Sequence, residues 1–345
     1  MMWAPLSVLG RHIDHLMESP TRPSVLVVGS GWGAHAFVGA LDRRHYRVQV
    51  LSPTGVRLNQ PSLIHNFPNF QPPSTQFSPS VPQIEDVAIQ LQEYEKCVTG
   101  HKDTYSYDYL VIATGSEAFD FNVKGVRENC LMCKTADDMK KIHAALQTKK
   151  SALILGAGPT GLELACKLKS EGIQVRVLEA TSTILPGFSE PMRQRVATYL
   201  SNLELPIKLN SPVRSVTKDQ IVLTNGSINT NDYALVWTCG IQPAAFVRQL
   251  TGGKPLTVDP FLCYKKEIYG LGDSVKGYPP TAQNAKQQGL WLAHHFNARF
   301  QSPPYQYKER GRILDLTYAI FIEIEGIVWH VPYFLTPLVR WALKQ

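Results

Sequence analysis

Two segments that each run from an apolar strand through a glycine-rich turn into a helix, with a third strand between them ending in Thr114-Gly115, predict an α/β chain with two Rossmann-like dinucleotide-binding domains. Ser24 to Leu41 (SVLVVGSGWGAHAFVGAL) carries the first: the β-branched run Val25 to Val28, then Gly29, Gly31 and Gly33-Ala34. The first glycine permits a tight turn, the second lets a pyrophosphate approach the backbone, and Ala34 at the third position allows a helix to pack closely on its strand. The helix N-terminus then turns free N–H groups and its positive dipole end toward phosphates. Ser151 to Leu168 (SALILGAGPTGLELACKL) repeats the design with Gly156, Gly158 and Gly161. One such motif alone is equally a glycine-rich turn without a ligand; two, each after an apolar strand, point to two dinucleotides.

The strands that follow set the two sites apart. Val175 to Leu178 ends in Glu179, where a carboxylate accepts hydrogen bonds from the hydroxyls of an adenosine ribose. A 2′-phosphate would meet like charge there, and Ala180 to Thr183 offers no arginine, so the second site is expected to prefer NADH to NADPH. Val48 to Leu51 ends instead in Ser52-Pro53, which offers only a hydroxyl.

Composition agrees with this architecture. A chain of 345 residues suits two domains, and 44% hydrophobic against 18% charged residues excludes a largely disordered protein. Six irregularly spaced cysteines do not make a disulfide scaffold and favour a reducing compartment; no metal site is expected. The net charge of +7 fits two anionic dinucleotides and an anionic membrane surface, with no need of nucleic acid. No uninterrupted apolar run is long enough for a transmembrane helix. Residues 1 to 23 mix Arg11, His12, His15 and Arg22 with Asp14 and Glu18, so they read as an N-terminal extension without the apolar core of a secretory signal, and export is not expected. Pro68, Pro72, Pro73, Pro79 and Pro82 mark a loop or linker.

Tyr107 to Ser116 (YDYLVIATGS), Leu235 to Gly240 (LVWTCG) and Ile268 to Asp273 (IYGLGD) complete an order that resembles the two-dinucleotide-domain flavoproteins of the pyridine nucleotide-disulfide oxidoreductase superfamily. The resemblance implies FAD on the first turn and NADH on the second. It also implies that Thr114-Gly115 crosses between the domains, and that Asp273 after Gly272 binds the ribityl and pyrophosphate portion of the flavin. Read from its neighbours alone, Asp273 is a helix N-cap. Pro280 to Leu292 (PTAQNAKQQGLWL) is similar to the Ala-Gln-x-Ala-x-Gln-Gln signature of type II NADH:quinone oxidoreductases, the single-subunit, non-proton-pumping NADH dehydrogenases. Val27 to Ala34, Gly156 to Ala165 and Ile184 to Val196 (ILPGFSEPMRQRV) look like the same branch, and the resemblance covers most of residues 24 to 300.

That branch implies hydride transfer from NADH to FAD and then transfer of two electrons to a quinone. Gln283 and Gln287, four apart, are expected on one helix face with Gln288 alongside, where amides donate to quinone carbonyls without adding charge; a merely solvated face is the alternative. Glu163, expected in the first turn of the second helix, is implied in proton handling, against an alternative of simple interaction with the helix dipole. Ile327 to Gln345 (IVWHVPYFLTPLVRWALKQ) reads as an amphipathic segment, with Phe334, Leu335, Leu338, Trp341 and Ala342 on one stripe and Thr336, Arg340 and Lys344 opposite. It suits a membrane surface, or docking on the protein's own core or on a second copy as a homodimer. The expected location is peripheral, on the mitochondrial inner membrane or the cytoplasmic face of a bacterial one.

Two rival functions remain open at this level. Cys130 and Cys133 form a Cys-x-x-Cys pair before the second glycine turn, which would serve a disulfide reductase. Departures in the first domain, where Thr54 to Asn59 replace the aromatic residues usual in the branch and the region from Asn59 to Tyr105 is trimmed, would suit a catalytically weak nucleotide-binding flavoprotein. The expected organisation is an FAD domain over 24–145, an NADH domain over 146–259, the rest of the FAD domain over 260–298, and a C-terminal segment over 299–345.

Overall fold

The computed structural model describes residues 22–339 apart from 55, 59 and 69–73. The chain divides into two compact units and passes between them repeatedly. β1 (Ser24–Val28), α1 (Trp32–Ala40) and β2 (Arg47–Ser52) open the first unit. β1 is apolar from Val25 to Val28 because both of its faces are covered: Val25 and Val27 enter one core, Leu26 and Val28 another. α2 (Gln60–His65) belongs to the second unit, where Leu63, Ile64 and Phe67 join the main core. β3 (Gln83–Glu85) and β4 (Tyr109–Ile112) return to the first. β5 (Leu131–Met132), α3 (Ala136–Thr148), β6 (Ser151–Leu155), α4 (Pro159–Ser170), β7 (Gln174–Leu178), α5 (Glu190–Asn202), β8 (Ile207–Lys208) and β9 (Tyr233–Trp237) build the second. β10 (Cys263–Lys265), β11 (Ile268–Gly270) and α6 (Ala282–Asn297) complete the first, and β12 (Arg312–Asp315), β13 (Ile320–Ile324) and β14 (Ile327–Val331) end in the second.

The first unit's sheet has the order β10-β11-β4-β1-β2-β3, parallel except for edge strand β10. The second unit's sheet, β5-β9-β6-β7-β8, is parallel throughout. Both are the twice-covered parallel sheets that the apolar strands predict.

The divisions fall elsewhere than expected. The second unit takes 116–244, so the expected boundaries at 145 and 259 lie inside one unit or the other. The cause is packing: β5 pairs in parallel with β9, and Met139, Ile142 and Leu146 of α3 enter the same core as Leu164 and Ala165 of α4. The stretch expected as a C-terminal segment is likewise divided, with 299–307 in the first unit and 308–339 in the second. Within the expected proline-rich loop, Ser74–Gln76 is a short strand paired with Val56–Leu58, while 69–73 lie outside the described residues.

The chain end is a correction of another kind. Residues Ile327–Val331, expected as the start of the amphipathic segment, form the last strand of an antiparallel sheet β12-β13-β14. Glu325 (φ 49°) and Gly326 (φ 79°) supply the two left-handed residues of a tight hairpin turn. Leu314, Phe321 and Val328 point into the core, whereas Ile313, Ile322, Ile324, Ile327 and Trp329 share the other face by register. After Pro332 comes a short turn over Tyr333–Leu335. Thr336, expected on a polar face, is buried with its hydroxyl donating to the Tyr333 carbonyl at 2.8 Å, while Phe334 is 76% exposed and Leu338 61%. Arg340, Trp341, Ala342 and Lys344 lie outside the described residues. No helix among the described residues is long and apolar enough to cross a membrane.

Candidate functional site

In the first unit the candidate residues gather where adjacent parallel strands end together. Val28 of β1 is level with Leu51 of β2 and with Ile112 of β4, which is level with Gly270 of β11. Gly29, Ser52, Thr114-Gly115 and Gly272-Asp273 therefore follow one carboxyl edge, where ligands of open α/β sheets bind. Gly29 has φ +114°, and a Cβ there would lie 2.3 Å from the Ala113 carbonyl oxygen, so the turn admits no side chain. Gly31 caps α1 without a side-chain bond, and the space where its Cβ would stand is open. Gly33 serves packing: its Cβ would strike Leu271, and its own carbonyl oxygen would lie 2.2 Å from a Cβ on Gly289 of α6. Ala34 is fully buried.

Thr114 Oγ1 is buried with no hydrogen-bond partner, beside Gly115 at φ +68°. Asp273 sits half-buried in a single turn over Gly272–Ser274; α6 is capped by Thr281, so Asp273 is not the N-cap of that helix. On α6, Gln283 and Gln287 are half-buried, and the Tyr307 hydroxyl donates to Gln283 Oε1 at 3.1 Å. Gln288 does not stand alongside them. It is fully buried, and its Oε1 accepts from the Gly272 N–H at 2.6 Å, bracing the Gly272-Asp273 turn. Its Nε2, and the Nδ2 of buried Asn284, have no acceptor. The open cap at Gly31 and the unpartnered Thr114 hydroxyl and Gln288 amide fit a dinucleotide lying along this edge.

The second unit repeats the geometry closely. Leu155 of β6 is level with Leu178 of β7 and Trp237 of β9, so the Gly156 turn, Glu179 and Thr238 share an edge. Gly156 has φ +113°, and the N-caps Gly31 and Gly158 both have φ −75°. Gly158 again faces open space. Gly161 lies against the turn itself, since a Cβ would come 2.0 Å from the Gly156 carbonyl oxygen.

Glu179 is 6% exposed and already at work. Its Oε2 accepts from the Ala157 N–H at 2.7 Å, and its Oε1 from the Thr181 N–H and hydroxyl at 2.9 Å each. A carboxylate has about four acceptor positions, so one stays available to a ribose hydroxyl. The Thr181 hydroxyl also contacts the Thr183 carbonyl at 2.9 Å and can release a second. Thr238, which sequence reasoning passed over, donates to the Leu155 carbonyl at 2.9 Å and steadies the turn from below. The signal was available, since Thr238 directly follows β9 and Thr114 lies two residues after β4.

Glu163 is the fifth residue of α4, beyond the first turn in which it was expected, so the helix terminus does not explain it. Its Oε1 accepts from the backbone N–H of Asp315 at 3.3 Å. Burial pushes its carboxyl up to about 8, and the negative charge of Asp315 pushes the same way. At neutral pH it is therefore a proton-carrying acid. Asp315 is itself buried, with His65 Nε2 3.3 Å from its Oδ2. Neither residue carried a sequence motif.

The Cys-x-x-Cys pair does not form a dithiol centre. All six cysteines are free, Cys130 packs in one core with Val126 and Val216, and Cys133 packs against another beside Met139. Burial pushes both thiols up to about 12, which leaves them protonated and poor nucleophiles. No group of metal-binding side chains occurs among the described residues.

Two parallel sheets with matching glycine turns define a two-dinucleotide protein, and the family profile of the pyridine nucleotide-disulphide oxidoreductases matches residues 23–289. The chain belongs to that family. Among its relatives, the "Probable NADH-ubiquinone oxidoreductase, mitochondrial" of Schizosaccharomyces pombe is 28% identical, over 85% of this chain and 66% of the relative. The "External alternative NADH-ubiquinone oxidoreductase, mitochondrial" of Yarrowia lipolytica is 26% identical, over 82% and 61%. The chain thus spans somewhat less than two thirds of these relatives' length. The solved structure of NDH2 from Plasmodium falciparum in complex with NADH shares the fold, with a TM-score of 0.81 over 93% of this chain and 94% of that one at 17% identity.

Proposed function

We propose that the chain is an FAD-dependent NADH:quinone oxidoreductase that pumps no protons, with FAD on the first unit's carboxyl edge and NADH on the second's. The observation that carries this reading is Glu163: the helix capped by the second glycine turn bears a carboxyl that keeps its proton to about pH 8. An acceptor that takes up two electrons and two protons needs such a donor. The names of the relatives, which act on NADH and ubiquinone, point the same way.

FAD, when bound, supplies hydride acceptance and two-electron storage. The residues of this chain do the rest. The N–H groups behind Gly31 and Gly158 meet the two pyrophosphates, and the closed turns at Gly29 and Gly156 bring the backbone near them. Gly33, Ala34 and Gly161 set the helices at the right height. Ser52, Thr114, Gly115, Gly272 and Asp273 hold the rest of the flavin nucleotide; Asp273 accepts from ribityl hydroxyls. Glu179 accepts from the adenosine ribose of NADH and repels a 2′-phosphate. Gln283 and Gln287 donate amide hydrogens to quinone carbonyls, and Glu163 yields a proton.

The test is spectroscopic. Anaerobic NADH should bleach the yellow of the FAD-reconstituted protein and a quinone should restore it. Gln287→Ala should slow the return at least about tenfold, roughly the worth of one lost charge-free hydrogen bond, while leaving the bleaching unchanged. A protein that stays colourless after reconstitution, or equal loss of both steps, overturns the assignment.

Peripheral attachment to a membrane, a mitochondrial one in keeping with the names of the relatives, is supported by the outer face of β12-β13-β14. Ile327 and Trp329 are 60% and 57% exposed there, and Phe334 and Leu338, shortly after the last strand, are also exposed. Ile327→Asp with Trp329→Ser should lower binding to anionic vesicles about tenfold or more, since each buried side chain contributes about 1.5–3 kcal/mol. Unchanged vesicle binding with loss of a dimer on a sizing column would assign this face to a second copy of the chain.

A further inference from the structure

The geometry points to Asp315 and His65 as positioning residues for Glu163: Asp315, held by His65, fixes the Glu163 carboxyl and keeps its proton in place. The inference rests on the proton-donor role given to Glu163 above and adds to it two residues that no motif marks.

Three elements of the second unit converge on the site. Glu163 comes from α4, Asp315 closes β12, and His65 closes α2. The backbone N–H of Asp315 donates to Glu163 Oε1 at 3.3 Å, which sets where that oxygen lies. The side chain of Asp315 is turned to other partners. Its Oδ1 accepts from the Thr317 N–H at 3.1 Å, and its Oδ2 lies 3.3 Å from His65 Nε2. One residue thus acts on Glu163 in two opposed ways: its backbone N–H holds the carboxyl and favours the ionised form, while its carboxylate charge favours the protonated one. His65, with its side chain 23% exposed against 9% for Asp315, is the end that meets solvent.

Among the described residues, Asp315 is the carboxyl group whose charge acts on Glu163. Cys133, just after β5, and Cys166, one turn further along α4, both feel Glu163, but burial holds each thiol up to about 12 and therefore neutral. Tyr199 of α5 faces Asp315 and is likewise pushed up to about 12. Two carboxyl groups so placed do not both ionise readily, and Glu163 is the one that burial pushes up. The proton accordingly resides on Glu163. When Glu163 gives it to a reduced acceptor, the new carboxylate is repelled by Asp315, and that repulsion favours taking up a replacement proton.

The sign of this coupling makes it testable without NADH or quinone. In protein labelled with carboxyl-¹³C glutamate, the Glu163 resonance is assigned by its loss in Glu163→Gln and followed against pH. Asp315→Asn keeps both backbone hydrogen bonds and removes the charge, so the Glu163 titration should move down by about one pH unit. His65→Ala removes the group that offsets Asp315, so the titration should move up. The alkaline limit of quinone reduction should follow each variant in the same direction. An unmoved titration in Asp315→Asn, or a shift of the same sign in both variants, overturns the inference. If Asp315→Asn fails to fold, His65→Ala at its more exposed site carries the test, with no shift or a downward one counting against it. A wild-type protein that shows the titration but no quinone turnover would overturn the proposed activity and leave this assignment standing.

Discussion

Glu163→Gln should make the folded chain more stable than the wild type in alkaline solution while slowing quinone reduction by about 10²-fold or more. The ordinary carboxyl value of 4.5 is raised to about 8 by burial, against the backbone hydrogen bond from Asp315 and with a smaller push from the Asp315 charge. Below 4.5 both folded and unfolded chains hold the proton, and the stability associated with it is fully present. Between 4.5 and about 8 only the folded chain holds it, so stability falls as pH rises, at up to ~1.4 kcal/mol per unit. Above that window the folded chain must carry a buried charge. Glutamine has no proton to lose, and its stability curve should be flat over the same range. Glu163 retains some contact with water, which reduces the effect, so the difference near pH 9 is expected to be about 2 kcal/mol. Urea denaturation of both proteins in mildly acidic and mildly alkaline buffer measures it, and parallel curves would contradict the burial assigned to Glu163.

Gly161→Ala and Gly158→Ala separate packing from ligand approach on the same helix. At Gly161 the added methyl would come 2.0 Å from the Gly156 carbonyl oxygen and 2.7 Å from Thr238 Oγ1. A backbone carbonyl yields poorly, so overpacking should cost about 1–3 kcal/mol and open the turn, with NADH affinity falling about tenfold or more. At Gly158 nothing lies within reach of the new methyl, and φ is −75°, which any residue adopts. Its folding stability should stay within about 0.5 kcal/mol of the wild type, yet NADH affinity should still fall, because the methyl stands where a pyrophosphate would approach. Thermal unfolding with calorimetric titration of NADH distinguishes the two. Equal loss of stability in both variants would mean that the helix start is crowded in a way these contacts do not show.

The parts of the molecule legible from sequence are those with a local physical cause. The turns at Gly29 and Gly156 announce themselves because a left-handed residue pressed on a backbone carbonyl, or on the Thr238 and Cys239 side chains, must be glycine, and Glu179 because it terminates an apolar strand. Strand and helix follow within a few residues, so each motif carries its own context. Asp315 and His65 have no such context, since each meets Glu163 only through tertiary packing between α2, α4 and β12. Gln288 was misplaced because a helical face near the boundary between buried and exposed is fixed by what packs there, and the buried N–H of Gly272 claimed it. The chain end was misread for a different reason. Ile327 to Leu338 alternates loosely enough to satisfy a helical stripe, but Glu325-Gly326 between two β-branched runs is the mark of a hairpin, and it outweighs a stripe interrupted by Pro332 and Pro337.

The threefold passage of the chain through each unit bears on how the protein is made. β4 occupies the middle of its sheet only once β11 has been synthesised, and until then its edge leaves Leu110 and Ile112 without their final cover. The main core of the second unit waits longer still, for Leu314, Phe321 and Val328 from the closing strands. Neither unit can therefore mature on the ribosome as an N-terminal domain usually does. The nascent chain should carry two incomplete, sticky sheets until late in translation, which makes it a natural client for chaperones and argues that excised fragments of either unit will aggregate rather than fold.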